Sequence, residues 1–160
     1  MKSFLKIQKR QGLTLVEIII VVAIIAITAG VGLFVMNPAG QLASARNKKR
    51  CNDLQSIMIF VRQNIADATN FSCSSGLLPT STTNMASATG SYNIAPCLHL
   101  QAMPFDPLAP SGHYISNTDY NTGYTIMYNA TTTQITLSAP FAELNKSIVY
   151  PPLSNTSTCY

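Results

Sequence analysis

Lys9-Arg10-Gln11-Gly12-Leu13-Thr14-Leu15-Val16-Glu17 marks the point where charge stops and apolar sequence begins. From Leu13 to Met36 the one charged residue is Glu17, and Ile18 to Met36 is a run of 19 residues without a charge. As a helix that run would extend about 28 Å, close to the hydrocarbon thickness of a bilayer. The apolar core of a cleaved secretory signal is shorter, roughly 7 to 15 residues, and ends in a small-x-small site that this stretch lacks. Residues 13–36 therefore read as a retained membrane helix. An ionised side chain at mid-bilayer costs roughly 2.5 to 3.5 kcal/mol, less near an interface, so Glu17 calls for a cationic partner.

The whole chain is 160 residues long, 47% hydrophobic and 10% charged, too apolar for disorder and suited to one modest folded unit. The formal charge of +4 resides in Lys2, Lys6, Lys9 and Arg10; removing these four from 10 Lys+Arg leaves six cations against 6 Asp+Glu. Net charge thus gives little support for a nucleic-acid partner. Arg46, Lys48, Lys49 and Arg50 follow the span and nearly tie the positive-inside count with the four that precede it. Cys51, Cys73, Cys97 and Cys159 break the tie. All lie C-terminal to the span without a Cys-x-x-Cys pair, which points to an oxidising compartment outside and a leader left in the cytoplasm.

The junction resembles the class III signal of type IV prepilins and type II secretion pseudopilins: a short basic leader ending in Gly12, an apolar first residue, Leu13, and Glu17 four residues later. The resemblance implies a leader, residues 1–12, removed between Gly12 and Leu13 by a prepilin peptidase, with methylation of the new amine of Leu13. It implies a pilin-like α+β fold, a long N-terminal membrane-spanning helix packed on a small antiparallel sheet. It further implies a structural, non-enzymatic subunit that polymerises with copies of itself into a type IV pilus or pseudopilus. An inner-membrane assembly platform and a cytoplasmic ATPase would serve that assembly. The protein would reside in the bacterial cytoplasmic membrane, C-terminus outside, before entering a periplasmic or extracellular filament. The alternatives are a minor pilin that captures DNA or a surface, and a single-pass membrane protein that does not assemble. Within the family reading Glu17 meets the amine of a neighbouring copy, setting register as one polar residue does in a coiled coil. A bland reading stands beside it: Thr14-Leu15-Val16-Glu17 is a capping box.

Gly30, Gly32 and Asn37-Pro38 weaken the helix at its outer end, predicting a bend or an unwound stretch. Beyond it, Leu54, Ile57, Met58, Val61 and Ile65 recur at helical spacing, predicting an amphipathic second half over residues 37–68. The run Arg46 to Arg50 reads as a solvated face rather than a site for DNA or acidic lipid. The head, residues 69–160, begins with a Ser/Thr/Asn-rich loop over 72–91 expected on the outside. A turn at Met103-Pro104-Phe105-Asp106-Pro107 follows, then a meander of strands at His113–Ser116, Tyr124–Tyr128 and Gln134–Ser138 with a turn at Asn121-Thr122-Gly123.

Cys51 on the helix cannot reach Cys73: about 26 Å of helix would have to be retraced by five residues spanning at most about 18 Å. The preferred pairing is Cys73 with Cys97 and Cys51 with Cys159, over Cys51 with Cys97 and Cys73 with Cys159. Asn117, Asp119 and Asn121 alternate oxygen side chains in the manner of a calcium loop, but Gly123 comes one residue later than in an EF-hand and no Glu closes it, so an ordinary polar turn is the expectation and no cofactor is required. His99 and His113 are isolated, the acids are scattered and there is no phosphate-binding glycine loop, so no catalytic constellation emerges. Asn70, Asn129, Asn145 and Asn155 begin Asn-x-Ser/Thr triplets that a chain of this composition produces by chance.

Overall fold

A computed structural model describes residues 12–35 and 37–152, in two compact units divided between Gln41 and Leu42. Leader residues 1–11 and Cys159 lie outside the described residues.

In the first unit, helix α1 runs Leu15–Val35, 21 residues, beginning two residues later and ending one residue earlier than the expected span. Among the described residues no helix is long and apolar enough to cross a membrane. Gly30 and Gly32 sit inside α1 without interrupting it. A glycine weakens a helix yet keeps its backbone donor, whereas Pro38 lacks one and pushes the preceding residue out of helical geometry. The interruption accordingly falls at Asn37, whose φ is 35°. Helix α2, Pro38–Ala68, restarts at once with proline in its first turn, and the Gly40 N–H donates to Asn37 Oδ1 at 3.2 Å.

In the second unit the buried stripe of α2 comprises Ala43, Asn47, Arg50, Cys51, Leu54, Ile57, Met58 and Val61, spaced by three and four. Its apolar part joins Tyr120, Tyr124, Ile126 and Leu137 of an antiparallel sheet in one core. Ile57, Val61, Ile126 and Leu137 are wholly buried, and each such side chain contributes about 1.5–3 kcal/mol relative to exposure.

Five strands form that sheet: β1 Thr83–Ala86, β2 His113–Ser116, β3 Asp119–Asn129, β4 Gln134–Ala139 and β5 Ile148–Tyr150. The long β3 is central. Asn121 pairs with Ala86 of β1 and with His113 of β2, so those strands occupy opposite edges of β3. Further along the β2 edge, Thr125 to Asn129 pair with Ser138 to Gln134 of β4, which then pairs with β5. Thr122 to Tyr124 lie between β2 and β4. There the ladder is completed from outside, the Asp106 N–H donating to the Thr122 carbonyl at 2.9 Å.

Three expectations are corrected. Asn121-Thr122-Gly123 is not a turn between strands but part of β3; the chain reverses at Asn117-Thr118 instead. Gly123 is the turn-like residue that misled the pattern, adopting φ +68° so that the Ala109 turn can approach the strand. The 72–91 segment is not wholly external, since it carries β1 and buries Leu78, Met85 and Ala86. With two of its four residues polar and half-buried, β1 shows no clean alternation. The sheet accordingly has five strands rather than three, and since β1 pairs with β3 and not with β2 it is not a simple meander.

Candidate functional site

Gly12 and Leu13 precede α1 in extended chain, and Leu13 is 70% exposed. Thr14 is the N-cap: its Oγ1 accepts from the Glu17 N–H at 3.3 Å, and its carbonyl accepts from the Ile18 N–H at 3.2 Å. Glu17 sits in the first turn, where the orphan amides and the helix dipole favour an anion. Its side chain is exposed, so the capping geometry leaves the carboxylate accessible. Nothing among the described residues lies within 4 Å of where a Gly12 side chain would begin; packing within the chain does not demand glycine there.

Every large apolar residue from Leu13 to Val31 is exposed, between 47% and 75%. These residues fall on all sides of α1, not on a stripe. Soluble monomers rarely expose apolar patches above a few hundred Å², so this helix is built to be covered by something other than the chain's own core. The one hydroxyl on it, Thr28, is satisfied internally by the carbonyls of Ile24 and Ile25 at 2.9 and 3.1 Å.

These geometric findings coincide with a sequence signature. Residues 7–33 match the family model described as the prokaryotic N-terminal methylation motif. The chain carries a class III prepilin signal. That signal is typical of type IV pilins and pseudopilins. No curated protein and no solved structure matches the chain, so the prepilin assignment rests on the N-terminal motif and residues 34–160 lie beyond it.

Behind the prepilin signal, the second unit holds an ionic cluster that the sequence pattern did not reveal. Arg50 is fully buried rather than solvated. Its Nε and Nη2 donate to Asp106 Oδ2 and Oδ1 at 2.7 and 2.9 Å, and its Nη1 donates to Asn47 Oδ1 and Glu143 Oε2 at 2.7 and 3.0 Å. Arg46 forks onto Glu143 at 2.7 and 2.6 Å. Asn47 donates to the Glu143 carbonyl and accepts from the Glu143 N–H, at 2.8 and 3.0 Å. Lys49 bridges Asp53 and the Phe105 carbonyl, and Tyr124 Oη donates to Asp53 at 2.7 Å. Burial first, then the Asp53 carboxylate, pushes the Tyr124 hydroxyl well above the usual phenol range. Burial draws the Arg50 guanidinium down, but its bonds to Asp106 and Glu143 prevail and raise it.

Arg46, Lys49 and Arg50 of the basic stretch therefore fasten two loops, 103–112 and 140–146, and three of the six acids, Asp53, Asp106 and Glu143, converge there. One signal could have found it. Ala43, Asn47, Arg50 and Leu54 continue the core stripe at spacings of three and four, which puts a guanidinium at a core position and demands a buried acid.

Hydrogen bonds from Arg46 hold Glu143 at about 2, below its ordinary 4.5, with burial opposing and Arg50 assisting. A depressed carboxylate stabilises the fold above its unfolded value and loses that contribution as pH falls through the folded one. The unfolding midpoint should therefore drop as pH falls from 4.5 toward about 2. A Glu143→Gln variant, compared by urea unfolding across that interval, should show a shallower drop; parallel curves would refute the assignment.

The calcium candidates carry bonds of their own. Asn117 Oδ1 accepts from Tyr114 Oη at 2.9 Å, Asp119 Oδ1 lies 3.0 Å from His113 Nε2, and Asn121 Oδ1 accepts from Asn84 and the Gly123 N–H at 3.0 Å each. The bond to Asp119, then that to the Ser111 carbonyl, raises the His113 pKa. Among the described residues no group of three His, Cys, Asp or Glu could hold a metal. Cys73 and Cys97 form a disulfide. Cys51, 5% exposed, is disulfide-bonded as well; its expected partner, Cys159, is outside the described residues.

Proposed function

We propose that this chain is a structural filament subunit, cut between Gly12 and Leu13 by a prepilin peptidase and methylated on Leu13. It polymerises through α1 into a type IV pilus or a type II secretion-like pseudopilus. Before assembly, α1 holds it in the cytoplasmic membrane with the second unit outside. The observation that carries this reading is the exposed apolar surface of α1 within the motif, on which Glu17 is the one charged residue. Burying each Ile or Val of that surface against a neighbour's helix contributes up to about 1.5–3 kcal/mol when the alternative is water. A desolvated Glu17 then needs the positive charge that cleavage creates on Leu13 of an adjacent copy. Contacts of this kind are head-to-tail and do not close, which is the symmetry of an open helical polymer. Gly12, unconstrained by packing among the described residues, would answer to the peptidase rather than to the fold.

The test is electron microscopy and N-terminal mass analysis of sheared surface material. Wild-type filaments should begin at a methylated Leu13, and Glu17→Ala should reduce them at least about tenfold while the protein remains in the membrane. Undiminished filaments in Glu17→Ala, or mature protein still carrying Met1 to Gly12, would overturn the reading.

A further inference from the structure

The C-terminal end of α2 and the segments joined by the Cys73–Cys97 disulfide border a cavity of about 370 Å³ within the second unit. That volume lies in the range of small-molecule sites, about 300–1,000 Å³. Its walls are preset. Asn64 Nδ2 donates to the Ser72 and Cys97 carbonyls at 3.0 and 2.9 Å, its Oδ1 accepts from the Ser72 N–H at 2.8 Å, and the disulfide ties the same two segments. A ligand entering here has little chain to order, which lowers the entropic cost of binding. Two side chains of the lining are idle. Asp67 and His99 are exposed, and among the described residues neither makes a hydrogen bond or an ion pair. The other four acids of this unit, Asp53, Asp106, Asp119 and Glu143, each face a base. Asp67 also stands against its own helix: it occupies the last turn of α2, where the carbonyl end of the dipole disfavours an anion, and that turn holds no basic residue. An unpaired carboxylate in the wrong turn, beside a preset cavity, breaks a local rule without compensation from the chain, as functional sites do.

We propose that this cavity binds a short aliphatic diamine, one ammonium seated on the Asp67 carboxylate and the other donating to the His99 ring. Charge selects a cation, since Asp67 and the carbonyl end of α2 act together and no Lys or Arg lines the cavity among the described residues. The neutral imidazole adds an acceptor nitrogen for a second N–H. Ala68, Pro96 and the disulfide offer apolar contact to the methylenes between. Size and ligand count argue against a bare metal ion: the space exceeds what one ion fills, and among the described residues no group of three His, Cys, Asp or Glu could hold one. The site lies wholly in the second unit and does not depend on the reading of α1.

The test is a chemical-shift titration of isotopically labelled full-length protein in detergent micelles at low salt, with putrescine as the probe. The amide signals of Ala68, Ser72 and Ser74 should move and saturate with a Kd of about 0.1–1 mM. Butylamine, which lacks the second ammonium, should bind about fivefold more weakly, and butanediol, of the same length but uncharged, should leave the signals in place. Asp67→Asn should weaken putrescine about tenfold and His99→Ala about fivefold, whereas Asp119→Asn, which removes an exposed carboxylate elsewhere, should change nothing. Because Asp67 serves no partner in the chain, Asp67→Asn should unfold in urea no earlier than wild type; an earlier midpoint would assign the carboxylate to the fold and overturn the site. Equal shifts with butanediol, an unchanged Kd in Asp67→Asn, or equal weakening by Asp119→Asn would overturn it as well. Shifts with zinc chloride and none with putrescine would give Asp67 and His99 to a metal and overturn it equally.

Discussion

Replacing Arg50 with methionine should lower the unfolding free energy of the second unit by about 3–5 kcal/mol, a large share of a domain's stability. Arg50 has no exposed side-chain surface, and neither has Asp106. Removing the cation leaves Asp106 facing apolar surroundings with one remaining partner of its own loop, the Leu108 N–H at 2.9 Å. Glu143 is affected less because Arg46 still forks onto it. The cost thus belongs chiefly to a stranded carboxylate, not to the loss of an attraction, and that distinction has a test. Arg50→Met combined with Asp106→Leu removes both charges and should recover much of the loss. Urea unfolding of the full chain in detergent, followed by tyrosine near-ultraviolet dichroism, compares the variants. A single variant within about 1 kcal/mol of wild type, or a double variant worse than the sum of the singles, would show that the cluster does not hold the loops.

The N-terminal motif was legible because it is local: Gly12, Leu13, Glu17 and the apolar run stand in a fixed linear order. The core face of α2 was legible for the related reason that Leu54, Ile57, Met58 and Val61 share one period. Arg50 escaped because a basic run reads as solvated whenever its counter-charges are far away in sequence, and Asp106 and Glu143 are separated from it by 56 and 93 positions. Strand β1 escaped for want of a pattern, with Thr83 and Asn84 half-buried in a segment rich in serine and threonine. The interruption between helices falls at Asn37, inside the stretch that Gly30, Gly32 and Pro38 mark. Glycine and proline weaken helices by different mechanisms, and only the missing donor and steric clash of Pro38 enforce a break.

Gly123 shows the same limit in reverse, since its residue type signals a turn while its actual role is to admit a neighbour. Its φ of +68° is left-handed, and a Cβ there would fall deep inside the contact distance of the Ala109 Cβ. Gly123→Ala should therefore destabilise twice, by about 1–2 kcal/mol for the backbone conformation and about 1–3 kcal/mol for overpacking against the Ala109 turn. That turn is where the Asp106 N–H completes the β3 ladder at Thr122 and Asp106 receives Arg50, so displacing it also loosens the buried ion pair. The two components separate experimentally. Adding Ala109→Gly to Gly123→Ala should restore the packing share and leave the conformational one, a coupling of about 1–3 kcal/mol in a double-mutant cycle. Gly123→Asn, which tolerates a left-handed backbone but carries a bulkier side chain, should remain destabilised by the overlap. If Gly123→Ala unfolds within about 0.5 kcal/mol of wild type, or Ala109→Gly brings no rescue, the turn is not seated against β3 as described.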